Sequence, residues 1–212
     1  MNIPFTTEQF IQVIVDYNTS VWPAQIVLNL LAMSALFFIF TKRPCSERVI
    51  SAILAFLWIW MGAMYHLVFF TSINKLAYGF GTFFILQGIL FVFSGSIRST
   101  LSFSFQRNAF TYIGLAFIIF ALILYPIIGY YMGHPYPKQP TFGLPCPTTI
   151  FTFGLLLLTD KIVPKYILII PFVWSIIGFF AAIKFTITED YGLLAAGIIG
   201  IIGIVMKDRK VS

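Results

Sequence analysis

The chain has 212 residues, of which 59% are hydrophobic and only 9% are charged, and its formal net charge is +6. This composition excludes an ordinary soluble domain, because so much apolar surface requires the lipid bilayer as its solvent. We attribute the excess of basic residues to membrane topology, and we predict no nucleic-acid partner. Two cysteines are too few for a disulfide framework.

Residues 1–20 predict a short amphipathic helix on the membrane interface, ahead of the first span. Thr6 and Gln9 have the spacing of a capping box, which marks the start of a helix. Apolar residues then recur at helical spacing, at Phe10, Ile11, Ile14 and Val15.

Seven apolar runs are long enough to cross about 30 Å of hydrocarbon as helices. They predict an all-α membrane protein, a seven-transmembrane-helix bundle that occupies residues 21–206 and is followed by a basic tail at 207–212. The predicted spans are 21–40, 49–70, 76–95, 109–133, 147–163, 166–187 and 190–206.

The basic residues fall on alternate loops of this bundle, and this bias predicts its orientation. Ten of the 13 Lys and Arg residues lie on one side, which we assign to the cytoplasm: Lys42, Arg43, Arg48, Arg98, Arg107, Lys161, Lys165, Lys207, Arg209 and Lys210. The other side holds Lys75, Lys138 and Lys184. The N-terminus is therefore expected outside, with the C-terminus and its basic tail in the cytoplasm.

The segment "GHPYPKQPTFGLPCPTT" at 133–149, expected outside, contains five of the 11 prolines. Pro147 suits the first position of a helix, which places Cys146 at the N-cap. A helix from Pro147 to Thr159 is only about 20 Å long. We therefore expect "QPTFGLP" to dip into the membrane as a re-entrant segment that lines an outward-facing polar pocket. The alternative is a helix that continues through "DKIV", with the loop entirely outside.

Two side chains are candidates for chemistry in this pocket. A thiol at a helix N-terminus is favoured as a nucleophile or soft-metal ligand, which singles out Cys146. His66 shares one face of the second span with Trp58, Gly62 and Phe69, and Gly62 is expected to leave space beside the imidazole. His66 is expected either to take a direct part in function or to make a structural hydrogen bond, and the sequence leaves both alternatives.

The predicted ligand-binding residues are Trp22, Gln25, Trp58, Tyr65, His66, His134, Tyr136, Cys146, Thr148 and Thr149. A second group of polar candidates consists of Asn18, Gln87, Ser175, Glu189 and Asp190. For Glu189 and Asp190 the ordinary interpretation is a capped helix start, where acids are favoured by the helix dipole. No cofactor is predicted. A zinc or copper ion is the alternative for His66, His134 and Cys146, although their spacing matches no metal-binding motif.

Four segments carry a resemblance to a known family: "NIPFT", "VWPAQ", "WIWMGAMYHLVFF" and "PTFGLPCPTTIFTFGLLL". Together they resemble an uncharacterised bacterial integral-membrane family, a domain of unknown function whose members are sometimes labelled permeases. The likeness covers nearly the whole chain. It implies a multi-pass protein of the bacterial inner (plasma) membrane, and it brings no substrate, cofactor or catalytic residue.

Three functions are compatible with these features. The first is a small-solute transporter or permease, whose solute meets the free N–H groups at the start of the fifth span. The second is a membrane-embedded enzyme in which Cys146 and His66 act as nucleophile and base, or hold a metal. The third is a ligand-binding sensor or assembly partner. A homo-oligomer is compatible with all three.

Overall fold

The computed structural model of the protein describes residues 4–211 and is all-helical over that range. The helices are α1 (Thr7–Ser20), α2 (Ala24–Thr41), α3 (Ser46–Ser72), α4 (Ala77–Ile97), α5 (Ala109–Tyr131), α6 (Pro145–Leu157), α7 (Lys165–Phe185) and α8 (Tyr191–Val211). A 3-10 turn, Thr188–Asp190, leads into α8. Helices α3, α4 and α5 each contain π-helical turns, at Met61–Phe69, Val92–Ile97 and Phe120–Leu124.

Among residues 4–211, six helices are long and apolar enough to cross a membrane: α2, α3, α4, α5, α7, and α8 together with its 3-10 turn. These six correspond to six of the seven predicted spans, so the chain has the character of a multi-pass membrane protein. The exception is the predicted span at 147–163. Its helix, α6, has 13 residues, which is about 20 Å of helix.

Helix α6 ends at Leu157, close to the end expected at Thr159 and before the limit of the predicted span at residue 163. The chain leaves the helix after Leu157, and Thr159 forms an isolated antiparallel bridge with Phe103. The alternative of a helix that continues through "DKIV" is therefore wrong. Every residue of α6 except Cys146 is buried, because α5, α7 and α8 pack around it. A helix that is apolar on all sides is expected in such a central position.

Contact between α5 and α6 depends on two glycines. A Cβ placed on Gly114 would lie 2.6 Å from the Gly154 carbonyl oxygen, and one on Gly154 would lie 2.8 Å from the Gly114 oxygen. The two backbones approach this closely because neither residue has a side chain. Small residues have the same use in many membrane helix pairs.

Helix α1 has the predicted capping box, since the Thr6 hydroxyl accepts from the Gln9 N–H and the Gln9 side chain accepts from the Thr6 N–H. Its most buried residues are Val13, Ile14, Tyr17 and Asn18. Phe10 stacks on Phe185 of α7, with 4.5 Å between the ring centroids. Helix α1 therefore packs on the bundle.

The helix ends form two separate groups of contacts. At the first, which we call the basic end, Lys42 pairs with Asp160 at 3.5 Å, and the Val163 N–H donates to Asp208 at 3.0 Å. At the second, which we call the loop end, α1 and the loop 133–144 meet the start of α8. The N-terminus of α6 belongs to the loop end, and the residues after Leu157 belong to the basic end.

Candidate functional site

The loop 133–144 is held in place by one buried side chain of α1. The Asn18 amide donates to the carbonyl oxygens of Pro137 and Gln139 at 2.7 and 2.8 Å. Its own oxygen accepts from Gln25 at 2.8 Å and from the Thr141 hydroxyl at 2.7 Å. Asn18 and Gln25, both suggested as ligand residues, therefore act together as the anchor of the loop.

A second anchor of the loop is the hydrogen bond between Tyr17 of α1 and Gly143. The Tyr17 hydroxyl donates to the Gly143 carbonyl oxygen at 3.2 Å and accepts from the Trp60 indole at 2.8 Å. Burial raises the pKa of Tyr17, so the phenol stays protonated and able to donate. Gly143 has a φ of +101°, and a Cβ there would lie 2.3 Å from Leu28. Only glycine fits both conditions.

The N-terminus of α6 differs from the predicted one. Its N-cap is Leu144 and its first helical residue is Pro145, so Cys146 lies inside the first turn and not at the cap. Pro145 and Pro147 have no N–H, and the Thr148 N–H donates to the Leu144 carbonyl oxygen at 3.3 Å. This first turn offers an anion too few N–H groups to form the expected helix-terminus site.

The start of α6 faces a cavity of about 580 Å³, which we call the loop-end cavity. Its walls come from α1, α3, α4 and α7 and are mainly apolar. The residues that line it include Tyr65, Phe70, Phe80, Cys146, Trp174 and Asp190. The exposed Lys184 is the basic side chain among the lining residues that the structure describes.

The two acids before α8 are buried, although the sequence pattern suggests an ordinary helix start. Asp190 is 4% exposed and accepts a hydrogen bond from the Tyr125 hydroxyl of α5. The Cys146 thiol lies near enough to interact with the same carboxylate. Glu189 is 1% exposed, and its Oε1 lies 3.4 Å from Nδ1 of His134.

His66 lies in an aromatic environment. The imidazole is fully buried, with ring centroids 4.6 Å from Phe84 and 5.2 Å from Trp174. Neither ring nitrogen has a hydrogen-bond partner among the described residues. Gly62 leaves no free space nearby, because a Cβ there would lie 2.7 Å from the Gly81 carbonyl oxygen of α4.

Cys146 and His66 therefore do not form a hydrogen-bonded pair. Trp174 connects their surroundings, since its ring packs on His66 and its Nε1 lies near the Cys146 sulfur. A Cβ on Gly178 would be 3.5 Å from the sulfur and 3.6 Å from the indole nitrogen. Despite this proximity, the Trp174 N–H has no hydrogen-bond acceptor of proper geometry in the described part of the chain.

Several predicted site residues have packing roles away from the loop-end cavity. Trp58 of α3 donates to the Thr152 hydroxyl of α6 at 3.0 Å. Gln87 of α4 donates to the Ile167 carbonyl oxygen of α7 at 3.0 Å, and Ser175 donates within α7. Thr148 and Thr149 are buried in the first turns of α6.

Three other predicted residues, Trp22, Gln25 and Tyr136, line a second cavity of about 370 Å³ between α2 and α5. Tyr125 and Thr141 line it too. The predicted ligand-binding set is therefore divided between two cavities and the helix contacts beside them.

The sequence interpretation missed two residues of the site, Tyr125 and Trp174. Each has one polar group in an otherwise apolar span, a pattern that also fits an ordinary interfacial aromatic. The metal candidates are dispersed: His134 lies beside Glu189, His66 among aromatic rings and Cys146 near Asp190. Over residues 4–211 no cluster of three or more His, Cys, Asp or Glu side chains is arranged to hold a metal ion.

Comparison with known proteins finds one match. Neither a search of the curated proteins nor a search of the solved structures finds a similar protein. A family model matches residues 7–212, which is nearly the whole chain. The chain therefore belongs to the family described as "Family of unknown function (DUF6064)".

Proposed function

We propose that the protein is a small-solute permease of the bacterial inner membrane. The chain crosses the membrane seven times, with the N-terminus outside and the C-terminus in the cytoplasm. Helix α6 and the re-entrant chain before it make the fifth crossing, and the loop-end cavity opens outward. The concentration of Lys and Arg at the basic end supports this orientation.

The observation that carries the proposal is a series of buried polar atoms without hydrogen-bond partners. Within residues 4–211 it includes both ring nitrogens of His66, the Thr149 hydroxyl, Oε1 of Gln87, and the hydroxyls of Ser51 and Ser46. Proteins leave few buried polar atoms unsatisfied, and water accounts for many of those that remain. A route that is hydrated during transport explains why such atoms are retained in an apolar bundle.

The series extends from the loop end toward the basic end. His66 lies in the last turns of α3, Gln87 is in the middle of α4, and Ser46 is the first residue of α3. Between them the bundle is closed, because α6 is buried and Trp58 is hydrogen-bonded to Thr152. Transport therefore requires a second arrangement of the helices, in which this route opens to the cytoplasm.

Cysteine accessibility tests the route without knowledge of the solute. In a background with Cys45→Ser and Cys146→Ser, we compare Gln87→Cys with Phe83→Cys, one helical turn away in α4. Gln87 is fully buried, whereas Phe83 is 57% exposed on the surface that faces lipid. A membrane-impermeant methanethiosulfonate reacts with a thiolate, which needs water.

The expected result is fast modification of Gln87→Cys and slow modification of Phe83→Cys in proteoliposomes. Gln87→Cys reacts fast because the route is hydrated in at least one state of the transport cycle. The permease proposal would be overturned if both variants were monodisperse and were modified at the same slow rate.

The enzyme alternative has less support. The nucleophile–base pair that the enzyme alternative requires is Cys146 with His66, and these two side chains form no hydrogen bond with each other. The His66 nitrogens make no hydrogen bond within the described chain, so His66 is not positioned to accept a proton from the thiol.

A further inference from the structure

We infer that the solute of the loop-end cavity is an amphipathic amine: an apolar body that carries a cationic ammonium group, for which Asp190 is the counter-ion. This inference rests on the proposed function, because it names the class of molecule that the permease takes.

The apolar body of the solute is inferred from the aromatic residues that form the cavity walls. Phe10 of α1, Tyr65 and Phe70 of α3, Phe80 of α4 and Phe185 of α7 surround a space of about 580 Å³. Small-molecule sites commonly have this size and combine an apolar lining with a few polar groups. A strongly hydrated ion or sugar would lose its water here without replacement hydrogen bonds.

The positive charge of the solute is inferred from the buried acid that lines the cavity at the start of α8. Asp190 lines the cavity and receives its hydrogen bond from Tyr125, with the Cys146 thiol nearby. Both partners are neutral, so they solvate the carboxylate without cancelling its charge. His134 faces the other acid, Glu189, at 3.4 Å. A buried carboxylate is costly without a positive partner, and a ligand ammonium supplies one.

A separate observation also indicates a ligand. Trp174 is 8% exposed and lines the cavity, and its indole N–H has no suitable acceptor among residues 4–211. Such a donor is satisfied by a ligand oxygen or by water. An ammonium group is attracted to aromatic rings, and Trp174, Tyr65, Phe70 and Phe80 all line the cavity.

An anionic solute fits the cavity poorly. Pro145 and Pro147 remove N–H donors from the first turn of α6, and the Asp190 carboxylate, which lines the cavity, repels a negative group. The basic group among the described residues that line the cavity is Lys184, whose side chain is exposed.

The test uses three probes that share a phenylethyl body and differ in the terminal group: 2-phenylethylammonium, 2-phenylethanol and 3-phenylpropanoate. The full chain with Cys45→Ser is placed in phosphatidylcholine nanodiscs, and Cys146 is labelled with N-ethylmaleimide. Because Cys146 lines the cavity, a bound probe slows the labelling. The expected half-protecting concentration is at least tenfold lower for the ammonium probe than for the alcohol, with the carboxylate weakest.

The Asp190→Asn variant should lose the preference for ammonium over alcohol, because Asn can still accept from Tyr125 but carries no charge. Asp16→Asn, an exposed acid of α1, is the matched control and should retain the preference. If Asp190→Asn does not fold, the ranking of the three probes on the parent protein decides the question.

Equal protection by the ammonium and alcohol probes, stronger protection by the carboxylate, or no protection by any probe would overturn the inference. An order led by the alcohol would overturn it as well, because it would show that Asp190 is neutral and not the counter-ion of an ammonium group. These outcomes are separate from the route test at Gln87, so a failure of the amine proposal can be distinguished from a failure of the permease proposal.

Discussion

The Tyr125 hydroxyl donates a hydrogen bond to the Asp190 carboxylate and joins the last two turns of α5 to the turn that precedes α8. Tyr125 lines the cavity between α2 and α5, and Asp190 lines the loop-end cavity. The pair therefore stands in the wall between the two cavities. Both side chains are buried, so neither can exchange its partner for bulk water.

Replacement of Tyr125 by Phe should destabilise the protein by about 1–3 kcal/mol, because it removes a donor from a buried charged acceptor. Tyr130→Phe is the control, since Tyr130 lies in the same helix and is 63% exposed. Denaturant unfolding in a mild detergent measures the difference. Equal free energies of unfolding for the two variants would contradict the role of the pair.

Replacement of Asn18 by Ala should release the loop 133–144, because its amide holds Pro137 and Gln139 and also accepts from Thr141. The expected result is faster trypsin cleavage after Lys138 in the detergent-solubilised protein, read by mass spectrometry. Asn108→Ala, which removes the N-cap of α5, is the control. Unchanged cleavage at Lys138 would show that the loop has other sufficient anchors.

Replacement of Gly154 by Ala should cost about 1–3 kcal/mol, because the added methyl group is forced into a packed helix contact. Its carbon would lie 2.7 Å from Ile118 and 2.8 Å from the Gly114 carbonyl oxygen. Gly79→Ala is the matched control, since nothing lies within 4 Å of that position. The expected order of melting temperatures places Gly154→Ala well below Gly79→Ala, and the reverse order would refute the close contact.

Labelling of Cys45 tests the orientation. Cys45 is exposed at the basic end, beside Lys42 and Arg43. In a Cys146→Ser background, an impermeant maleimide added to intact spheroplasts should leave Cys45 unlabelled, and permeabilised spheroplasts should become labelled. Labelling of intact cells would reverse the orientation and place the loop-end cavity on the cytoplasmic side.

Local features of the chain were predictable from sequence because their causes are local. Six apolar runs became long helices, since a run of that length can satisfy its backbone in lipid only as a helix. The capping box of Thr6 and Gln9 formed because both partners lie within one turn. At α6 either of two prolines suits the first helical position. The sequence pattern predicted Pro147, whereas the helix begins at Pro145.

The composition and the order of the apolar runs therefore determined an all-helical membrane protein and the approximate limits of six long helices. Only the tertiary structure decided what surrounds each polar group. Glu189 and Asp190 are buried because α5 and the loop 133–144, distant in sequence, cover the start of α8. His66 faces aromatic rings because α4 and α7 pack against α3 there. Burial and partners of a side chain depend on such long-range contacts, which hydrophobic periodicity does not encode.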